Sequence, residues 1–196
     1  REFLTSLTDR GLAGVRLVIS DAHAGLIKAI RRCFQGAAWQ RCRVHAMRNL
    51  LSAANHRHRQ VIAALIRTIF VQPDATTATV QLRAVVQQLR PYAPGVAERL
   101  EAMEADLLAY TGFPPAHWSK IWSNNPLERL NRELKRRTDV VGIFPDKASV
   151  VRLVGALLVE INDEMIAAER RYIAAASVAD LTEQPSELAL PAAPRT

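Results

Sequence analysis

Cysteine is scarce in this 196-residue sequence, which contains only Cys33 and Cys42. Two cysteines are too few for a disulfide framework, so we expect a reduced, cytosolic setting. The sequence has no run of roughly 18 apolar residues, so no transmembrane helix is expected. Its first ten residues, REFLTSLTDR, contain no apolar signal core, so no export is expected either. The sequence also contains no glycine-rich phosphate loop and no nucleophile motif around serine or cysteine.

Basic residues outnumber acidic ones, giving a formal net charge of +7, and the surplus lies in two blocks. Residues 1–70 hold 12 Lys/Arg against 3 Asp/Glu, and residues 119–140 hold 6 against 3. The segment between them, 71–118, is mildly acidic, with 3 against 5. Clustered arginine is typical of proteins that bind a polyanion, because neutralising phosphates releases counterions. Ordinary solubilising charge gives similar counts, so composition alone favours nucleic acid only slightly.

Hydrophobic spacing near the N-terminus predicts a strand–helix–strand unit. A short helix ends at Gly11, and the apolar run VRLVIS at 15–20 predicts a buried strand that Asp21 closes. Helical spacing of apolar side chains follows over 22–34, and AAWQRCRV at 37–44 predicts a second strand leading into a helix. This order is typical of a partial α/β domain.

The remainder of the chain has helical periodicity. Three apolar stripes are predicted to face a core: Val61, Leu65 and Ile69; Leu82, Val85, Val86 and Leu89; Leu100, Met103, Leu107 and Leu108. A basic helix is predicted over 119–138, and Asp146 is predicted to cap a long amphipathic helix that runs through Ile161. Residues 177–196 are rich in Ala, Pro and Glu, which predicts a disordered tail. Helix therefore dominates the predicted fold.

Asp21 follows a predicted buried strand, at the edge where open α/β sheets place their ligands. A carboxylate there can bind a hard divalent cation without burying an unpaired charge. The alternative is a structural role, in which Asp21 caps a helix that begins near Ala22. The residue and its position leave both roles open.

Glu128 lies in the segment SNNPLERLNRELKRR. Asn125 is predicted to cap this helix, with Pro126 at its first position and Glu128 completing a capping box. Four side chains share one face, a carboxylate followed by polar and basic groups suited to a metal ion near a phosphate backbone: Glu128, Asn131, Arg132 and Lys135. The neighbouring face carries three leucines that are predicted to pack into a core: Leu127, Leu130 and Leu134. Glu160, on the last helix, is a rival carboxylate.

Cys42 and His45 form a C-x-x-H step among three arginines, Arg41, Arg43 and Arg48. A zinc site usually needs four ligands, and only three further residues can supply them: Cys33, His56 and His58. The favoured interpretation is therefore a buried cysteine and a hydrogen-bonded histidine near a strand–helix junction. His56 and His58 are predicted to lie in a solvated basic turn.

Four segments in the same order resemble the Mutator-like family of bacterial insertion-sequence transposases. VISDAHAGL at 18–26 resembles the stretch around the second catalytic aspartate of that family, and WQRCRVHAMRNLL at 39–51 resembles its C-x-x-H signature. IWSNNPLERLNRELKRRTDVVGIFP at 121–145 resembles the segment with the catalytic glutamate, and RLVGALLVEINDEM at 152–165 continues the similarity. The similarity runs from about residue 12 to residue 173.

The resemblance implies a partial RNase H-like α/β fold, with a short mixed sheet, flanking helices and an all-α insertion. Residues 1–58 would then form the part of the core that holds the second aspartate, and 59–118 the helical insertion. Residues 119–176 would supply the C-terminal helices with the glutamate, and 177–196 the disordered tail. The strand–helix pattern of the sequence agrees with this layout.

The implied activity is DNA cleavage and strand transfer with two Mg²⁺ or Mn²⁺ ions. By this resemblance, Asp21 is the second metal ligand and Glu128 is the third. Glu128 is preferred over Glu133 because Lys135 lies seven residues beyond Glu128. Expected contacts to DNA are Arg41, Arg43, Arg48, Arg129, Arg132, Lys135, Arg136 and Arg137. Cys42, His45, Asn125 and Asn131 carry over as family signature residues. Expected partners are the terminal inverted repeats and the target DNA, bound by a homodimer at the bacterial nucleoid.

The sequence also departs from the family pattern. The first catalytic aspartate and the N-terminal DNA-binding region of the family are expected upstream of Arg1, and Asp9, in a polar helical stretch, is a poor substitute. We therefore expect this chain alone to be catalytically incomplete. Three alternatives stay open: a non-catalytic DNA-binding remnant that acts as competitor or repressor, a metal-dependent nuclease without joining activity, and a scaffold protein unrelated to DNA.

Overall fold

A computed structural model describes residues 1–168, 173, 177, 178 and 181. The described residues belong to two compact units: 1–123 with 177, 178 and 181, and 124–168 with 173. The predicted disordered tail, 177–196, lies outside the described residues apart from those three positions. Helix dominates each unit, as predicted. In the described part of the chain, no helix is long and apolar enough to cross a membrane.

The first unit begins with a strand–helix–strand arrangement. Its elements are α1 (Glu2–Asp9), β1 (Leu17–Ser20), α2 (Ala24–Cys33) and β2 (Ala38–Arg41). The two strands are parallel, with Leu17 opposite Ala38 and Ser20 opposite Arg41. Because parallel strands need a crossover connection, α2 lies between them in the sequence. The predicted order is confirmed, whereas the prediction of a mixed sheet is wrong for the described residues, since their one strand pair is parallel.

Local backbone features explain where α1 and β2 end. Gly11 follows α1 with a φ of 95°, a conformation that favours glycine, and its amide donates to the Thr8 carbonyl. The second strand is shorter than predicted, because Cys42 already serves as N-cap of the next helix and Val44 is helical.

Helices make up the rest of the first unit. They are α3 (Arg43–Ser52), α4 (Arg59–Arg67), α5 (Ala75–Leu89), α6 (Pro94–Ala102), α7 (Glu104–Leu107) and α8 (Pro115–Ile121). Short 3₁₀ turns connect several of them: His56–His58, Thr68–Val71 and Ala109–Gly112. Their apolar faces form one core around the fully buried Leu82, Leu89 and Leu100.

Two of the three predicted apolar stripes are confirmed. All residues of the second stripe are buried on α5, and all residues of the third are buried on or beside α6 and α7. The first stripe is confirmed at Ile69, which is fully buried, and in part at Leu65, which packs against the core, but it is wrong at Val61. Val61 is 56% exposed, and Ile62 and Ile66 face the core instead. The 3₁₀ turn after α4 explains the shift, because three residues per turn align the buried Ile69 with Ile66 rather than with Leu65.

The second unit is built from α9 (Asn125–Asp139) and α10 (Lys147–Ala167), which pack on each other. Asp146 caps α10 as predicted, because its Oδ1 accepts a hydrogen bond from the Ser149 amide at 2.6 Å. The leucine face of α9 is only partly covered: Leu127 is 56% exposed, which corrects its predicted core position. Among the described residues of this unit, Leu157 on α10 is the one buried hydrophobic side chain, as expected where two helices bury only the side chains along their contact line.

Candidate active site

The carboxyl edge of the β1–β2 pair brings Asp21 and Cys42 together. Ser20 lies opposite Arg41, so the next residue of each strand leaves the sheet at the same edge. The Cys42 amide donates to the Ser20 carbonyl at 2.9 Å, which extends the ladder by one bond. Trp39 Nε1 donates to Ser20 Oγ at 2.9 Å, and this hydroxyl donates to the Asp21 carbonyl at 3.0 Å. These bonds fix the backbone that carries the Asp21 carboxylate.

Asp21 is exposed, and its Oδ1 accepts a hydrogen bond from the Ala22 amide at 2.7 Å. It does not cap the following helix, which corrects the structural alternative. The helix begins at Ala24, and its N-cap is His23, whose Nδ1 accepts from the Leu26 amide at 3.3 Å. Among the described residues, the Ala22 amide is the one hydrogen-bond partner of the carboxylate, so lone pairs remain to receive a cation.

The C-x-x-H step joins β2 to α3. Cys42 is fully buried at the N-cap of α3, and His45 is partly buried in the first turn. The described residues contain no group of three or more His, Cys, Asp or Glu side chains able to hold a metal ion, so the zinc alternative gains no support. His56 and His58 are exposed in a 3₁₀ turn, as predicted.

The three arginines beside this step differ in their surroundings. Arg41 pairs with Asp106 at 3.0 Å and lies over the Trp39 ring, which gives it a structural partner. Arg43 is partly buried, with its guanidinium carbon 3.8 Å from the centroid of Trp122. Arg48 is exposed on α3 and is therefore the most accessible of the three predicted DNA contacts.

Gln40 ties the strand to the helical part of the same unit, a role that the sequence analysis missed. Its side chain is fully buried, and Nε2 donates to the carbonyls of Arg41 and Leu107 at 2.8 and 3.0 Å. Oε1 accepts from the Tyr110 amide at 2.8 Å. The available signal was a glutamine that alternates with Ala38 and Cys42 along a short strand, since a buried amide must find hydrogen-bond partners.

Tyr110 packs against both Trp118 and Trp122 in edge-to-face contacts, with ring centroids 5.2 and 5.9 Å apart. Burial raises the pKa of its phenol to about 12, although the nearby Arg43 opposes that shift. The hydroxyl therefore stays neutral at physiological pH. It is suited to packing rather than to acid–base chemistry.

The start of α9 differs from the predicted capping box. Asn124 is the N-cap, so Asn125 and Pro126 occupy the first two helical positions and Glu128 the fourth. A capping box requires the carboxylate three residues after the cap, and Glu128 lies four after it. The Glu128 amide donates to the Asn124 carbonyl at 3.0 Å, closing the first helical turn. Glu128 is partly buried in the first turn of α9.

Glu133 and Glu160 are engaged with arginines. Glu133 accepts hydrogen bonds from Arg136 at 2.8 and 3.1 Å and from Arg137 at 2.9 Å. Arg137 also pairs with Glu160 on α10 at 3.4 Å. Hydrogen bonds from Arg136 and Arg137 lower the pKa of the Glu133 carboxyl to about 2. Glu133 is therefore fully ionised and held by cations at neutral pH.

The basic surface of α9 is formed by side chains that point to solvent. Arg129, Arg132 and Lys135 are exposed, and none of them forms an ion pair with another described residue. Asn131 is exposed beside them. Arg136 and Arg137 form ion pairs with Glu133, so the net positive charge of this surface is lower than the sequence predicted.

Comparison with known proteins identifies the family. The sequence model of the family described as "Transposase, Mutator family" matches residues 1–168, and the chain belongs to that family. The predicted resemblance to Mutator-like insertion-sequence transposases is thus confirmed.

Several curated transposases align with most of the chain. The transposase for insertion sequence element IS1081 of Mycobacterium tuberculosis is 52% identical over 171 residues, which cover 87% of this chain and 41% of that protein. The transposase for IS406 of Burkholderia multivorans is 43% identical, covering 84% of this chain and 42% of that protein. The transposase for IS256 in transposon Tn4001 of Staphylococcus aureus is 35% identical, covering 87% and 44%. The chain spans less than half the length of these relatives.

Proposed function

We propose that this chain is part of a longer DDE transposase, which cleaves DNA at the ends of an insertion sequence and joins those ends to a target. The observation that carries the proposal is family membership combined with an exposed aspartate at the carboxyl edge of a parallel strand pair. An RNase H-like core with an all-α insertion is the fold proposed for the complete catalytic domain. The strand–helix–strand start and the helices after it are compatible with that fold.

Asp21 and Glu128 are the proposed ligands of the catalytic Mg²⁺ or Mn²⁺ ions, since carboxylate oxygens are the donors that these hard cations prefer. The open lone pairs of Asp21 fit this role. Glu133 and Glu160 form ion pairs with arginines. The preference for Glu128 over Glu133 rests on the family resemblance, since Lys135 lies seven residues beyond Glu128. When bound, two such ions would activate the attacking water or 3′-hydroxyl and stabilise the leaving oxygen.

DNA contacts are proposed mainly for the exposed cations Arg48, Arg129, Arg132 and Lys135, which can neutralise backbone phosphates. Arg136 and Arg137 are secondary candidates because of their ion pairs with Glu133. The proposed DNA partners are terminal inverted repeats and target DNA, bound by a homodimer at the nucleoid.

A cleavage and joining assay tests this function. The full-length transposase that contains this sequence is expected to cut and join labelled transposon ends in Mg²⁺. This chain alone is expected to do neither, because the proposed first carboxylate is not among its residues. Joining by the chain alone would contradict its proposed incompleteness. Binding of ends by the full-length protein without any cleavage, at every metal tested, would contradict the catalytic function and favour a DNA-binding competitor.

A further inference from the structure

A cavity of about 420 Å³ lies in the first unit, beside the start of α3 and the end of α4. Two arginines, Arg43 and Arg67, line it together with the aromatic rings of Phe70 and Trp122. None of the described residues that line the cavity is acidic. Two cations without a described carboxylate beside them make this a site of positive potential in a partly apolar setting.

Arg43 is held in a position suited to binding an anion. Its guanidinium stacks on Trp122, with the carbon 3.8 Å from the ring centroid, and lies 4.9 Å from that of Phe70. Stacking uses the face of a guanidinium and leaves its N–H groups, which point outward in the plane, available as donors. Among the described residues, no hydrogen bond or ion pair uses these donors. The donors are therefore pre-oriented, and no described carboxylate compensates their charge.

Arg67 adds a second cation to the same cavity. It is exposed at the end of α4 and pairs with no acidic group in the described part of the chain. Burial lowers the pKa of Arg43, and the positive charge of Arg67 acts in the same direction. Two neighbouring cations repel each other, so an anion bound to both would relieve the repulsion.

The remaining walls of the cavity are aliphatic: Val44, Met47 and Val71. The volume lies within the range of pockets that bind a small organic molecule, and exceeds what a bare phosphate needs. We infer that this cavity receives one nucleotide of an unpaired DNA strand, with its phosphate against Arg43 and Arg67 and its sugar or base against the apolar wall. The inference rests on the proposed function for the choice of DNA as the polyanion.

Fluorescence anisotropy with a labelled single-stranded tetranucleotide, in EDTA and with the whole chain, tests this site. Arg67→Glu is expected to weaken binding about tenfold or more, because it removes a charged hydrogen-bond donor and places a repelling carboxylate beside the phosphate. Val71→Trp is expected to weaken binding by a similar factor, since Val71 is 77% exposed at the cavity and a large side chain there fills it without changing the charge. The matched control, Arg99→Glu on an exposed position of α6, is expected to change affinity less than twofold.

Four outcomes would overturn the inference: binding unchanged by Val71→Trp, an equal loss with Arg99→Glu, a fully base-paired hairpin bound as tightly as the single strand, or no binding at all. Full displacement of the probe by low millimolar inorganic phosphate would instead assign the cavity to free phosphate. The binding test is made in EDTA, whereas the catalytic proposal is tested by cleavage in Mg²⁺. A failed binding test would therefore leave the catalytic proposal standing.

Discussion

Full-length transposase with Asp21→Asn is expected to lose cleavage and joining of transposon ends by about a thousandfold or more. The substitution keeps the size of the side chain but removes the negative charge that a metal ion requires. Metal ions supply several kcal/mol of transition-state stabilisation, and each 1.36 kcal/mol corresponds to a tenfold change in rate. Because Asp21 is exposed and bonded only to the Ala22 amide among the described residues, the fold should tolerate asparagine. Gel assays of both steps measure the loss.

The matched control is Asp9→Asn, which changes an exposed aspartate at the end of α1 in the same unit. It is expected to retain activity within about twofold, whereas Glu128→Gln should match the loss seen with Asp21→Asn. DNA affinity measured without metal should stay near the wild-type value for all three variants. Activity of the Asp21→Asn protein above a tenth of wild type would remove this residue from the proposed metal ligands.

Replacing Gln40 by Leu is expected to destabilise the first unit by about 2–4 kcal/mol. Leucine fills a similar volume, but it leaves the Leu107 carbonyl and the Tyr110 amide without the glutamine partners that they have in the structure. Each unsatisfied buried backbone group costs roughly 1–3 kcal/mol. Urea unfolding followed by tryptophan fluorescence reports on this unit, because all three tryptophans, Trp39, Trp118 and Trp122, belong to it.

The control for Gln40 is Gln88→Leu, at an exposed position of α5. It is expected to change the free energy of unfolding by less than about 0.5 kcal/mol. Equal effects of the two substitutions would mean that the buried amide does not hold the strand to the helical part of the unit. A large effect of Gln40→Leu would also loosen the β2 end, from which Cys42 and α3 begin.

Local patterns predicted much of the first unit. Alternation of short apolar runs with helical spacing was sufficient to find β1, α2 and β2, and it placed Asp21 just after a strand. The stripe on α5 was found because Leu82, Val85 and Leu89 repeat at helical spacing and are all fully buried. The Asp146 cap was found because an aspartate directly before an amphipathic run is a local signal.

Contacts between distant residues were beyond sequence reasoning. Arg41 was predicted to contact DNA, but Asp106, its ion-pair partner, lies 65 residues away along the chain.

The cap of α9 was missed by one residue for a local reason, because either Asn124 or Asn125 can precede Pro126 at a helix start. The roles of Asp21 and Glu128 come from the family resemblance, and they stay predictions.

Metal rescue tests the central claim, that Asp21 and Glu128 are metal ligands of a transposase, most directly. Asp21→Cys and Glu128→Cys, each made in the full-length protein, are expected to be inactive in Mg²⁺, because thiolate is a poor ligand for that hard cation. Mn²⁺ or Cd²⁺, which accept sulfur more readily, should restore cleavage to both variants while Asp9→Cys needs no rescue. Full activity of either variant in Mg²⁺, or failure of every thiophilic ion to restore any cleavage, would contradict the account.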